Sequence, residues 1–159
     1  MKEEREKYLT NKFPLMYTKD QIDGRETPYS LFGFECGDGW FRIIYWLSKY
    51  VQDYIDSNNK YAEKFPNQYK FIPQVKVVQV KEKFGGLRFY YSGGDDKIGE
   101  VISFVESISY SICETTGKTE NIGYNTKGWI KTKNVSLRNN NEDFEFIDDE
   151  ELRKLNLEN

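Results

Sequence analysis

Hydrophobic and polar residues alternate along two short stretches of the chain, one before and one after a pair of glycines. Alternation with a period of two is typical of β-strands. Gly85 and Gly86 between the stretches predict a two-residue hairpin turn, because glycine accepts positive φ angles at no steric cost. Residues from about 75 to 91 are therefore expected to form a β-hairpin in which Lys83 faces Arg88.

The same alternation assigns the hairpin side chains to two faces. The first face is apolar with a single charge at Glu82, and collects Val78, Val80, Phe84, Leu87, Phe89 and Tyr91. The second face is basic with one aromatic ring, and collects Lys81, Lys83, Arg88 and Tyr90. Like charges opposite each other destabilise a strand pair, so an anion held between Lys83 and Arg88 would stabilise this face. The alternative is that the basic face is an ordinary solvated surface. On the apolar face, Glu82 is expected near the sheet edge or paired with a cation.

Helical periodicity appears on both sides of the hairpin. Apolar residues recur at intervals of three and four over about 39–57 and about 96–115, which predicts two amphipathic helices. Asp38 is a candidate cap for the first helix and Asp95 or Asp96 for the second, while Asn58-Asn59 is expected to end the first. A short charged helix is expected over residues 2–13, and residues 29–32 are a candidate for a short strand.

These elements together predict an α+β fold: a small antiparallel sheet built on the central hairpin and packed by the two helices. The length of 159 residues favours one domain, which we expect to span residues 1–137. Within it, residues 118–137 predict a small irregular or β element around Gly128–Thr132. Residues 140–159 carry eight acidic side chains and two basic ones, so 138–159 is expected to be an acidic tail or a short helix.

Composition narrows the chemistry that the chain can perform. The sequence has no histidine, so it lacks the usual general base and the usual metal ligand. It has two cysteines. Paired carboxylates could still act as acid and base, with Glu35, Asp38 and Glu82 as candidates, but nothing in the sequence places them together. The charged start and the absence of a long apolar run favour a host-cell cytosolic protein without a membrane span.

Four segments resemble a family of small proteins from bacteriophages, prophages and bacterial genomes. They are ECGDGWF at 35–41, QVKEKFGGLRFYY at 79–91, SICETTG at 111–117 and GWIKT at 128–132. The resemblance implies a phage-associated role but no particular activity. It also implies a zinc knuckle after the second helix, and the chain departs from that pattern because Cys113 is the only ligand kept and Thr116 replaces the next one. Since structural zinc needs four ligands, we expect a metal-free remnant held by packing around Trp129, Tyr124 and Ile130.

The favoured function is non-enzymatic binding of an anionic, nucleotide-like ligand without a cofactor, and a role in counter-defence would fit it. Beyond the basic face of the hairpin, Trp40, Trp129 and Lys131 complete the predicted ligand-binding set. The alternative is a module that docks on a host protein through exposed aromatic rings and the acidic tail, and a carboxylate-based hydrolase is a third hypothesis. A homodimer is favoured by the exposed hairpin edge. Duplex DNA is disfavoured because the net charge of the chain is −3 and residues 1–139 carry only about +3.

Overall fold

Four α-helices and two three-stranded sheets make up the part of the chain that the computed structural model describes, residues 1–19, 22–148 and 150. The helices are α1 (Glu3–Lys12), α2 (Pro28–Phe32), α3 (Phe41–Lys64) and α4 (Asp96–Ser109). The strands are β1 (Phe34–Glu35), β2 (Lys76–Lys83), β3 (Gly86–Ser92), β4 (Ile122–Asn125), β5 (Thr132–Asn134) and β6 (Phe144–Phe146). Short 3-10 helices cover Asp38–Trp40 and Val135–Leu137. The predicted α+β class is confirmed.

The first sheet has the order β1-β2-β3 and is built on the predicted hairpin. Strands β2 and β3 are antiparallel, whereas β1 is a two-residue strand parallel to β2. Fully buried residues of the hairpin, among them Val80 and Leu87, pack with the apolar stripes of α3 and α4 in one core. Burial of this apolar surface is the main stabilising contribution to the fold.

The turn of the hairpin lies one position earlier than predicted. Phe84 and Gly85 form it with φ angles of 54° and 79°, and Lys83 pairs with Gly86. Two positive φ angles define the primed turn that matches strand twist. Gly86 belongs to β3, where an added Cβ would lie 2.5 Å from the ring of Tyr110. The close approach of Tyr110 therefore explains why the second glycine is needed in the strand and not in the turn.

The shifted turn changes the cross-strand partners but not the faces. Arg88 pairs with Lys81 instead of Lys83, so the partners of residues 87–90 each move by two positions and side-chain parity is kept there. A bulge between Val77 and Gln79 buries Val77 and leaves Val78 only half-buried. Phe84 is 66% exposed at the tip, so its predicted place in the core is wrong.

The first long helix continues seven residues past its predicted end at residue 57. Asn58 and Asn59 do not end it, because their side-chain amides bind the returning chain. Asn58 donates to the carbonyl of Lys70, and Asn59 both donates to and accepts from the backbone of Ile72. Helix α4 ends at Ser109, six residues before the predicted end.

The predicted helix caps have different outcomes. Asp95 caps α4 as expected, accepting from the backbone N–H of Ile98 at 3.0 Å. Asp38 does not cap α3, since its carboxylate accepts instead from the backbone N–H of Lys2, just before α1. The possible strand over residues 29–32 is wrong, because Pro28 begins a helical turn there and Thr27 and Ser30 form a capping box.

Helix α4 covers the outer edge of β3. The backbone N–H of Leu87 donates to Ser109 Oγ at 2.8 Å, and that of Phe89 donates to Glu106 Oε1 at 2.7 Å. These two donors would otherwise be free to pair with another strand. The exposed edge that favoured a homodimer is therefore not present at this part of β3.

The second sheet has the order β5-β4-β6, and both pairs are antiparallel. Strand β6 lies within residues predicted as an acidic tail, so this part of the segment is folded against β4. The predicted short helix near the end of the chain falls largely on Asp149 and residues 151–159, which lie outside the described residues. None of the helices in the described part has the length and apolar content that a membrane span requires.

Candidate functional site

A groove of about 630 Å³ lies between the tip of the hairpin and the loop that joins β4 to β5. Its lining residues from the sheet are Glu35, Lys81, Glu82, Lys83 and Phe84, and those from the loop are Gly128, Trp129 and Ile130. The groove thus combines two cationic, two acidic and two aromatic side chains. A concave site with a few convergent polar groups and mostly apolar walls is typical of small-molecule binding sites.

Two of the predicted ligand-binding lysines, Lys81 and Lys83, line this groove. Strand alternation places both on the face of β2 that points away from the core. The Lys81 ammonium lies 5.8 Å from the centroid of the Tyr90 ring, and the Lys83 ammonium lies 5.4 Å from that of Phe84. Neither forms a salt bridge with a carboxylate among residues 1–19, 22–148 and 150. Both charges can therefore meet an anionic ligand without breaking an ion pair.

Arg88 is turned away from the groove, although it shares a face with the two lysines. Its guanidinium donates to the hydroxyl of Tyr110 at 2.9 Å and to the carbonyl of Leu87 at 2.7 Å. The Arg88 carbon Cζ also lies 5.8 Å from the centroid of the Tyr110 ring. The predicted pairing of Arg88 with an anion beside Lys83 is therefore not supported, and Arg88 instead holds the end of α4 against β3.

Glu82 connects the two walls of the groove. Its carboxylate accepts from the backbone N–H of Gly85 at 2.8 Å and from the indole Nε1 of Trp129 at 2.7 Å. The expected cation partner is absent from these contacts, and two N–H donors take its place. The carboxylate thereby fixes both the hairpin turn and the orientation of the Trp129 ring.

Asn125 shapes the loop that carries Trp129. Its side-chain amide donates to the carbonyls of Lys127 and Trp129 at 2.7 and 2.8 Å, and its oxygen accepts from the backbone N–H of Lys131 at 2.7 Å. Thr132 then ties the loop to the hairpin turn by donating to the carbonyl of Gly85 at 2.6 Å. Sequence reasoning missed Asn125, whose only signal was its position just before a Gly-Trp pair.

Trp40 and Lys131 do not line the groove. Trp40 is completely buried and its indole donates to the carbonyl of Ile112 at 3.0 Å, so its predicted role in ligand binding is wrong in this structure. Lys131 lies beside a smaller depression of about 130 Å³, next to Glu114. Phe84 was missed as a groove residue because the predicted register placed it in the core.

The three candidate catalytic carboxylates do not come together as one group. Glu35 and Glu82 line the groove, and Glu35 accepts from the side chain of Gln79 at 2.6 Å. Asp38 does not line it and instead lies 3.8 Å from the ammonium of Lys2. Two of the three carboxylates therefore share the groove, and each already accepts hydrogen bonds from neighbouring groups.

Both cysteines are free and buried. Burial raises the pKa of Cys36 to about 12. Burial also acts to raise the pKa of Cys113, but hydrogen bonds from Thr116 and from the backbone near Asn134 outweigh it and lower that pKa. Among the described residues no group of three His, Cys, Asp or Glu side chains could hold a metal ion, so the residues around Cys113 do not fit the zinc site that the resemblance implies.

Comparison of the chain with protein-family models, with curated proteins and with solved structures finds no match.

Proposed function

We propose that this protein is a non-enzymatic binding protein that takes a flat anionic ligand, such as a nucleotide or a nucleotide-derived signal, in the groove at the hairpin tip. The observation that carries the proposal is that two exposed rings lie beside two ammonium groups that form no salt bridge within the described part of the chain. Phe84 and Trp129 are 66% and 72% exposed, and Lys81 and Lys83 stand beside them. Rings can stack on a base while ammonium groups meet a phosphate.

The acidic side chains of the groove limit which anions fit. Glu35 and Glu82 would repel a second negative group placed at their end. A nucleotide separates its phosphate from a base that carries N–H donors, so it can satisfy lysine and glutamate at once. Inorganic phosphate or a small dicarboxylate cannot do this and is expected to bind weakly. A phage-associated counter-defence role remains a hypothesis that rests on the family resemblance.

A thermal-shift screen with nucleotides and cyclic dinucleotides tests this proposal. A ligand present at about 100 times its Kd stabilises the folded state by about 2.7 kcal/mol, which raises Tm by several degrees. We expect at least one nucleotide to raise Tm, and inorganic phosphate to leave it unchanged. Lys83→Ala and Trp129→Ala should each reduce the shift by about half or more, because a tenfold weaker Kd leaves about 1.4 kcal/mol of stabilisation at the same ligand concentration.

Two matched variants test whether a smaller thermal shift is specific to the groove. Lys12→Ala removes an exposed lysine at the end of α1, and Trp46→Ala removes a tryptophan that is 56% exposed on α3. Both should keep the full shift. If no nucleotide raises Tm, or if all four variants respond alike, the groove is not a nucleotide site.

A second candidate function is docking on a partner protein. It is favoured by a depression of about 420 Å³ on α1 and α3 that Tyr8, Phe41, Arg42, Tyr45 and Trp46 line. Partly exposed aromatic side chains of this kind often provide the main contacts of an interface. Loss of partner capture in Trp46→Ala, with capture kept in Trp129→Ala, would favour this function over ligand binding.

A further inference from the structure

A second cluster of exposed aromatic rings lies at the far end of α3, outside the groove. Four rings within eleven residues are between 42% and 66% exposed: Tyr61, Phe65, Tyr69 and Phe71. Three exposed lysines alternate with them along the chain: Lys60, Lys64 and Lys70. We call this set of rings and lysines the aromatic ridge.

Hydrogen bonds to the backbone and one pair of stacked rings hold the ridge in place. After α3 the chain turns at Pro66–Gln68 and runs back along the helix, where Asn58 and Asn59 bind the backbone at residues 70 and 72. Tyr61 and Tyr69 stack with ring centroids 5.6 Å apart and an interplanar angle of 29°. The rings are thus placed by a fixed backbone while their outer surfaces stay open to solvent.

Apart from Pro66, the exposed apolar side chains of residues 60–71 are all aromatic. The aliphatic residues of the same stretch, Ala62 and Ile72, are buried at 6% and 5% exposure. An amphipathic helix that inserts into a lipid surface presents Trp, Phe and Leu along one face, whereas residues 60–71 contain no Leu or Trp. Planar rings without aliphatic neighbours are better suited to stacking on flat ligands such as nucleic-acid bases.

The charge of the ridge favours an anionic partner. Within the described residues, Lys60, Lys64 and Lys70 form no salt bridge, and Glu63 is the one acid among residues 60–71. A two-fold contact with a second copy would bring the three lysines of each ridge together, which like-charge repulsion opposes. A phosphate backbone would instead meet the three ammonium groups.

We infer that the aromatic ridge is a binding surface for single-stranded nucleic acid, with bases stacked on Phe65, Tyr69 and Phe71 and phosphates near the three lysines. This surface is separate from the groove and does not depend on the function proposed for it. Readout would be tolerant of sequence, because every base has a π-face and the ridge presents rings and ammonium groups rather than a base-specific hydrogen-bond pattern.

Fluorescence anisotropy with labelled oligothymidylate and oligouridylate tests this inference. The full chain should bind at least one of them, with a Kd that rises as salt is added. Each lost phosphate contact on a single strand lowers the slope of log K against log salt by about 0.7. The triple variant Lys60→Ala/Lys64→Ala/Lys70→Ala should therefore reduce the slope by about 2, and Phe65→Ala/Phe71→Ala should weaken binding on the order of tenfold or more.

Controls outside both the groove and the aromatic ridge show whether an effect is specific to the ridge. Lys12→Ala, which removes an exposed lysine, and Phe104→Ala, which removes a ring that is 64% exposed, should bind the oligonucleotides as the unaltered chain does. Absence of binding by the unaltered chain, equal binding by the ridge variants, or binding to phosphatidylserine vesicles but not to oligonucleotides would each overturn the inference. Binding to only one of the two oligonucleotides would identify the ligand as DNA or RNA and would support it.

Discussion

Glu82 is the side chain on which the shape of the groove depends most directly. It is the one charged side chain on the face of the hairpin that strand alternation directs toward the core, and it lies where β2 meets the turn. A carboxylate there can accept two N–H donors at once, one from the hairpin backbone and one from the loop opposite. Glu82 therefore acts as a positioning residue that fixes the Trp129 ring beside the lysines.

Replacing Glu82 by glutamine should loosen Trp129 while keeping the fold. Glutamine has a single acceptor oxygen, so one of the two N–H donors loses its partner. We expect the free energy of unfolding to fall by about 1 kcal/mol. In a Trp46→Phe background, where Trp129 is the one exposed tryptophan left of three, acrylamide should quench its emission more strongly. Glu35→Gln removes a groove carboxylate that does not contact Trp129, and an equal effect from it would contradict this role.

Glu114 links the loop before α3 to the loop after α4. It accepts from the backbone N–H of Gly37 through its carboxylate and from that of Gly39 through its carbonyl. Burial raises the pKa of Glu114 above 4.5, and the nearby charge of Glu82 adds to this, while the Gly37 bond and Lys131 act against it. The folded state therefore holds a proton at this carboxyl more tightly than the unfolded chain does.

The sign of this shift gives a pH prediction. The contribution of Glu114 to stability is fully favourable below pH 4.5 and is lost as pH rises through its raised pKa. Glu114→Gln keeps an oxygen for Gly37 and cannot ionise, so it should be at least as stable as the unaltered chain at pH 7. Urea unfolding should show that this difference in stability between Glu114→Gln and the unaltered chain shrinks as the pH falls toward 4.5. Glu100→Gln, which changes an exposed carboxylate, is the control. The assignment would be contradicted if the gain in stability from Glu114→Gln, corrected for that control, were smaller at pH 7 than near pH 4.5.

At the scale of elements, the contact between α4 and β3 is the one that closes the first sheet. Ser109 is completely buried, accepts from the N–H of Leu87 and donates to the carbonyl of Glu106. Since Leu87 is also completely buried, no water can replace the hydroxyl. The end of α4 thus satisfies a strand edge that would otherwise be open.

Ser109→Ala should cost about 1–3 kcal/mol of unfolding free energy, because it leaves the Leu87 N–H buried without a partner. Ser107→Ala is the matched control: its exposed hydroxyl donates to Ser103 within the same helix, and its loss should stay within about 0.5 kcal/mol. Guanidinium unfolding and amide exchange at Leu87 measure both. Equal stability of the two variants would mean that the edge is not held by this bond.

At the scale of the whole molecule, local pattern predicted the hairpin and the long helices, but it missed α2, β6 and the contacts that decide where the elements end. The α+β class, the hairpin and the Asp95 cap follow from period and capping chemistry in neighbouring residues. The turn position depends on Tyr110, which lies 24 residues after Gly86 and whose ring occupies the space of a Cβ there. The end of α3 depends in the same way on a chain segment that returns to Asn58 and Asn59.

In the candidate site too, strand alternation predicted one part and tertiary contacts decide the rest. Strand parity placed Lys81 and Lys83 on one outward face, and the shifted register left that parity intact. The opposite wall needs the β4–β5 loop to meet the hairpin tip through Glu82 and Thr132, and no spacing in the sequence specifies this meeting. Arg88 and Trp40 left the predicted set for a tertiary reason, since Tyr110 and Ile112 after α4 take their hydrogen bonds.

Isothermal titration of the nucleotide with the largest thermal shift is the most direct measurement of the central claim, that the groove binds a flat anion. One molecule should bind per chain. Lys83→Ala should weaken binding by about tenfold or more, in line with about 1.5–3 kcal/mol for a hydrogen bond to a charged group. Trp129→Ala should weaken it to a similar degree and Trp46→Ala should not. Unchanged affinity in both groove variants would contradict the claim.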